Sequence, residues 1–336
     1  ATQTLLTIHT DEGVEGHSFG ADPNIVDTVL KDILIGQDPL LIEKHWQSMK
    51  HWQRLIRKFT DSDVSHADLA LWDLKGKLMD QPVYSLIGGP CRDKALCYVT
   101  SDDLDWSIEL GFKHFKVSNP AHYDMGIDGL NLVEEKIASA RDIVGNNSEL
   151  MYNPVMSFNV EFAVRMAERL RPYGLRWLEE PLIPTDLEGH IELRKAINWV
   201  PLATGEDHHG RWTFRQLVEN RAVDVLQPDL KWCGGLTEAL KIYAIGEAAG
   251  IVTIPHAAAA SPWGQHFAIS MPESPTAEFW MGSDPGIPLE ELCPIPGMPM
   301  PKDGYIKPSD APGFGMEIKE EWIIPWDHST ASSLNS

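Results

Sequence analysis

Between residues 95 and 280 the chain repeats one unit: a short apolar segment that ends in a polar or ionisable residue, followed by an amphipathic stretch. The apolar segments are ALCYVT (95–100), HFKVS (114–118), LMYNP (150–154), RWLEE (176–180), PLATGE (201–206), DVLQPD (224–229), VTIPH (252–256) and AEFW (277–280). Helix-period stretches fill the gaps, such as NVEFAVRMAERLRPYG (159–174) and GLTEALKIYAIGEAAG (235–250), each closing near a glycine that suits a C-cap. Strands that alternate with helices predict a parallel sheet. Eight such units in roughly 190 residues fit a closed (β/α)₈ barrel. A doubly wound open sheet is the competing architecture, but no G-x-G-x-x-G follows any of these strands.

The flanking segments have a different texture. ATQTLLTIHTDEGVEGHSFG (1–20) predicts two short strands around an Asp-Glu-Gly turn, and residues 24–58 show helical periodicity. HADLALWDLKGKLMDQPVYSLIGG (66–89) sets Ala67, Ala70, Leu71, Leu74 and Leu78 on one helical face before Pro82 and Gly88-Gly89. Residues 1–93 therefore read as a small α+β domain and 94–292 as the barrel. Residues 293–336 read as a Pro- and Gly-rich wrapping segment whose end, 329–336, is expected to be disordered.

In such a barrel the C-terminal strand ends face one pocket, so the residues there are a functional inventory. They are Lys116 and Ser118, Asn153, Glu179 with Glu180, Glu206, Asp229, His256 and Glu278. Converging carboxylates repel unless a cation sits among them. Asn153, Glu179 and Glu206 end consecutive strands, and three oxygen donors on adjacent strands suit Mg²⁺. The bland alternative makes these acids salt-bridged rim residues. Asp229 and His256 end the next two strands, and a carboxylate bonded to an imidazole fixes its tautomer for base catalysis. A structural histidine beside an unrelated aspartate is the alternative. Lys116 is suited to neutralise a substrate carboxylate or to act as acid or base, and a protonated Glu278 to donate to the same carboxylate. His208, in GEDHHG (205–210), is placed to meet substrate hydroxyls; no zinc spacing, P-loop or nucleophile elbow accompanies it.

The formal net charge of −21 argues against nucleic-acid binding and against docking on anionic membranes. No apolar stretch reaches 18 residues, and no signal-peptide pattern opens the chain. Four cysteines without a C-x-x-C pair predict a reducing, cytoplasmic setting.

Taken together, DLALWDLKGKLMDQPVYSLIGG, RWLEEPL, TGE, QPDLKWCGGLTEALKI and IPHAAAA resemble the mandelate racemase branch of the enolase superfamily. GEDHHG, LQPDLKWCGGLTE and SPTAEFW are most similar to its L-rhamnonate dehydratase group. The resemblance spans nearly the whole chain. It implies a capping domain, here N-terminally short, packed on the strand ends of a (β/α)₇β modified TIM barrel, with the C-terminal segment returning to the cap. It further implies Mg²⁺ on Asn153, Glu179 and Glu206, an Asp229–His256 dyad, and a last-strand acid at Glu278. The family's leading metal ligand is ordinarily Asp, and here it is Asn153. Many relatives end the second strand in Lys-x-Lys, but this chain has Lys116-Val117-Ser118, without the second base that racemases use. The resemblance thus implies an Mg²⁺-dependent sugar-acid dehydratase, a hydro-lyase acting on an L-rhamnonate-like acid; Ser118 and His208, read from their positions in the chain, are the expected substrate contacts. A homo-oligomer is the implied assembly. A silent sugar-acid-binding relative, or an epimerase or cycloisomerase using the same enolate chemistry, are the alternatives.

Overall fold

In a computed structural model, residues 3–292 and 295–326 are described; Cys293 and the tail expected to be disordered at 329–336 lie outside them. The N-terminal part pairs β1 (Leu5–His9) with β2 (Glu15–Phe19) antiparallel. It continues through α1 (Pro23–Ile25), a π-helical turn (Val26–Leu30), α2 (Lys31–Leu34), α3 (Ile42–Gln53), α4 (Asp61–Leu78) and α5 (Val83–Leu86). Helix α4 starts on a capping box in which Thr60 and Asp63 satisfy each other's backbone N–H. Strand β2 lies directly against α4: a Cβ on Gly16 would collide with the Ala70 carbonyl and the Leu74 side chain.

The barrel follows as β3 (Ala95–Thr100), α6 (Leu104–Glu109), β4 (His114–Val117), α7 (Gly126–Val144), β5 (Glu149–Tyr152), α8 (Val160–Leu170), β6 (Leu178–Glu179), α9 (Leu187–Ala196), β7 (Leu202–Thr204), α10 (Gly210–Glu219), β8 (Val225–Leu226), α11 (Gly235–Ala248), β9 (Val252–Thr253), α12 (Pro262–Ser270) and β10 (Thr276–Trp280). That is seven βα units and a final strand, and the eight strands run parallel in the order β10-β3-β4-β5-β6-β7-β8-β9. One strand escaped the sequence reading: β11 (Tyr305–Ile306), from the expected wrapping segment, pairs antiparallel with β3.

Period-2 alternation decides which side chains face the barrel axis. Tyr98, Met151, Trp177, Ala203, Val225 and Ile254 form an inner cluster, and Tyr98 meets Trp177 edge-on at 5.3 Å. Their neighbours Val99, Tyr152, Leu178 and Leu202 point outward into the helix layer. Lys116, Glu179 and Glu278 share the inward parity, flanked by outward Phe115, Val117, Leu178, Ala277 and Phe279. The N-terminal helices grip the start of α11. Trp46 Nε1 donates to the Gly234 carbonyl at 2.8 Å, Trp72 Nε1 to Thr237 Oγ1 at 2.9 Å, and the Thr237 N–H to buried Asp68 at 2.9 Å. Asp73 joins the N-terminal unit to the returning chain, accepting from the His17 and Phe314 N–H groups, each at 2.8 Å.

Candidate active site

Lys116, on β4, sits at the centre of the strand ends and is only 2% exposed. Its ammonium pairs with Glu179 from β6 and with Glu278 from β10, the latter at 2.6 Å, beneath the face of Tyr98. Burial opposes its charge, but the two carboxylates outweigh burial and raise its pKa. Glu278 also accepts from Thr100 Oγ1 and from the Ala257 N–H. Burial pushes Glu278 up, yet Lys116 and then His256 pull it down to about 2. The Lys116 ion pair favours Glu278 as a carboxylate, whereas the expected donor role requires its protonated form. Glu179 is held by four donors: Lys116 and Asn153 Nδ2 on one oxygen, Trp177 Nε1 and Gln227 Nε2 on the other.

Asp229 and His256 come together as expected of a dyad, Oδ2 to Nδ1 at 2.8 Å. The bond leaves Nε2 facing the pocket, 3.7 Å from Glu206. Trp232 packs on the ring at 5.5 Å, and the Lys231 N–H fixes the other Asp229 oxygen. Burial lowers the His256 pKa, but the Asp229 bond, Glu278 and Glu206 prevail and raise it to about 9.

Glu206 belongs to a second knot of acid. One carboxylate oxygen each from Glu180, Glu206 and Asp207 lie within 4.8 Å of one another. Burial first, then Glu206 and Glu179, raise Glu180 to about 8; burial and Glu179, against the pull of His256, raise Glu206 to about 7. Such shifts mark buried carboxylates crowded against one another. Hard oxygen donors at this separation suit a hard dication of the Mg²⁺ type.

The remaining expected residues are placed as follows. Asn153 directly follows β5, with its Oδ1 accepting the Val155 N–H at 2.7 Å and its amide nitrogen aimed at Glu179 at 2.9 Å. Ser118 is exposed and bonded to Asp102 and Lys136, away from the acid cluster. His208 is buried against Phe214, its Nδ1 without a hydrogen-bond partner among the described residues, and burial lowers its pKa to about 4. Sequence reasoning missed Trp177, Gln227, Thr100 and Asp207. Trp177 and Gln227 carried a signal, since each lies two residues before a strand-end acid and so shares its inward face.

Comparison with known proteins places this geometry. Residues 103–322 match the model for the enolase C-terminal domain-like family, and residues 1–88 match that for the mandelate racemase / muconate lactonizing enzyme N-terminal domain. An L-rhamnonate dehydratase of Saccharopolyspora erythraea is 35% identical over 311 residues, covering 90% of this chain and 79% of the relative. The crystal structure of L-rhamnonate dehydratase from Gibberella zeae superposes with a TM-score of 0.88 at 33% identity, over 95% of this chain and 83% of that one. A structure of the Gibberella zeae rhamnonate dehydratase complexed with Mg gives the same score and identity, over 95% of this chain and 80% of that one. With a (β/α)₇β barrel, an N-terminal α+β unit and family-model matches over residues 1–88 and 103–322, this chain belongs to the mandelate racemase / muconate lactonizing enzyme family of the enolase superfamily.

Proposed function

We propose that this chain is an Mg²⁺-dependent sugar-acid dehydratase that removes the proton α to a carboxylate, eliminates the 3-hydroxyl and yields a 2-keto-3-deoxy acid. An L-rhamnonate-like acid is the substrate this reading favours, supported by the names of the similar proteins above. The observation that carries it is the one-sided base: His256 is oriented by Asp229 at 2.8 Å, and no second lysine stands at Ser118.

A bound dication supplies Lewis-acid stabilisation to the oxyanion that grows on the substrate carboxylate, and the acids around Glu206 would hold it. Asp229 accepts from Nδ1–H and so leaves Nε2 facing the substrate, and a dication held by the neighbouring acids would offset the carboxylates that raise the ring's pKa and favour its neutral, basic form. His256 takes the C2 proton through Nε2. Lys116 is kept cationic by Glu179 and Glu278 and can direct an N–H toward negative charge developing across from His256. The resulting imidazolium lies on the face where it can protonate the departing 3-hydroxyl in a syn elimination. His208 supports the reading as a buried ring with one free nitrogen for a substrate hydroxyl. Ser118, engaged by Asp102 and Lys136, would reach substrate only if it gave up those partners. A homo-oligomer in a reducing cytoplasm completes the reading; the free thiols of Cys91, Cys97 and Cys233 support the redox setting.

The test is a panel of aldonic and aldaric acids with the full chain and Mg²⁺, following 2-keto-3-deoxy products by NMR. The expected result is EDTA-sensitive dehydration with L-rhamnonate among the best substrates. An isomerised product without loss of water would replace dehydration by cycloisomerisation or epimerisation.

A further inference from the structure

Asn153 and Asp207 together point to an altered cation site. Asn153 directly follows its strand in the position where a ligand oxygen is expected, yet its oxygen is turned to a backbone N–H and its amide nitrogen to the acids. The Val155 N–H donates to Oδ1 at 2.7 Å, and this backbone donor fixes which end of the amide is oxygen. Turning the amide over would set NH₂ against N–H. The turn itself is held: Val155 and Met156 lie at φ 51° and 58°, and the Met156 N–H donates to the Glu180 carbonyl at 2.7 Å. The free end of Asn153 is therefore a donor, and it binds Glu179 at 2.9 Å. Glu179 in turn carries four hydrogen-bond donors, about as many as a carboxylate has lone-pair sites.

Glu180 is in the opposite condition. It is 1% exposed, and its Oε2 has no hydrogen-bond partner among the described residues. Its Oε1 makes only long contacts, to Thr204 Oγ1 at 3.3 Å and the Gly205 N–H at 3.4 Å. A buried, partnerless carboxylate oxygen is costly unless something cationic meets it. It lies in the group whose oxygens, with those of Glu206 and Asp207, fall within 4.8 Å of one another. Ligands at 2.0–2.1 Å from a shared Mg²⁺ sit about 3–4 Å apart, so small side-chain rotations close the set. Three carboxylates also supply a charge of −3, where an amide and two carboxylates supply −2.

We propose that this chain holds its divalent cation through Glu180, Glu206 and Asp207, with Asn153 acting as a neutral clamp on Glu179 and not as a ligand. The proposal rests on the dication-dependent reading of the site, but its test uses no substrate. Full-length protein is titrated with Mn²⁺, and free Mn²⁺ is read by electron paramagnetic resonance. Asp207→Asn and Glu180→Gln should each weaken binding at least tenfold, and Asn153→Ala should stay within threefold of the parent. Melting in EDTA checks folding, and the Mn²⁺-induced rise in Tm gives a second readout that should shrink only in the two acid variants. If Asp207→Asn melts early in EDTA, Glu180→Gln decides alone. Parent-like affinity in the folded acid variants, or a loss in Asn153→Ala equal to theirs, overturns the proposal. Tight Mn²⁺ binding through these acids without any dehydration would instead sink the functional reading and leave the cation site standing.

Discussion

At the scale of the residue, the chemistry hangs on one nitrogen. His256 Nδ1 is committed to Asp229, so Nε2 alone is available to a substrate. Replacing His256 with Asn keeps a polar group of similar reach at Nδ1 and deletes the base. General acid–base catalysis typically contributes 10²–10⁴-fold, and here the same group serves proton removal and departure of water. His256→Asn should therefore lose at least about 10³ in dehydration and lose exchange of the C2 proton into deuterated water. Its melting temperature should stay near the parent value, because the side chain is partly open to the pocket. Proton exchange that persists in the variant would assign the base elsewhere. The identities of these strand-end residues were legible in the sequence, since an apolar run announces a strand and period-2 alternation says which side chain points inward. The direction of the Asn153 amide was not legible. It depends on a Val-Met pair in the left-handed region, which residues of that type rarely enter.

At the scale of the element, the strands are shorter than the apolar segments that predict them. Segment 176–180 yields only Leu178–Glu179, and 224–229 only Val225–Leu226. The polar ends peel away from the ladder to reach the pocket, so strand existence was readable and strand length was not. Contacts between distant elements were invisible for the same reason that β11 was: no local pattern records them. Helix α12 shows what such contacts do. It is buried along its whole length and is fastened by His266, whose Nδ1 accepts the Tyr84 N–H at 3.0 Å and whose ring meets Phe314 at 5.3 Å. Burial, opposed by Asp310, drives the His266 pKa down to about 3. Above pH 6.5 the folded and unfolded chains both keep this ring neutral, and it adds no pH dependence. Below that, only the unfolded chain takes up the proton, so this residue removes about 1.4 kcal/mol of stability per pH unit until about pH 3. His266→Asn keeps an acceptor for Tyr84 and abolishes the titration. The variant should be less stable at pH 8, where it has lost ring packing, and should recover about 2 kcal/mol relative to the parent at pH 5. Urea midpoints of the two proteins at both values measure this. A deficit of constant size would mean that His266 protonates without leaving its place.

At the scale of the whole molecule, the charge is the outstanding property. The net value of −21 repels an anionic sugar acid over distances longer than any contact in the pocket. Lys116, an inward cation of the site, is already paired with both Glu179 and Glu278. Around it stand Glu180, Glu206, Asp207 and Asp229, so the pocket remains negative until a dication enters. Two consequences follow. The field draws divalent cations toward the site, and it slows the approach of the substrate once the cation is in place. Screening should relieve the second effect, because the Debye length contracts to about 10 Å at 0.1 M salt. At saturating Mg²⁺, raising NaCl from about 20 to about 200 mM should increase kcat/KM for the acid severalfold, with kcat nearly constant. Most electrostatically steered enzymes behave in the opposite sense. If kcat/KM falls as salt rises while Mg²⁺ stays saturating, the substrate is steered in by local positive charge, and the loaded cation then dominates the field that the rest of the molecule makes.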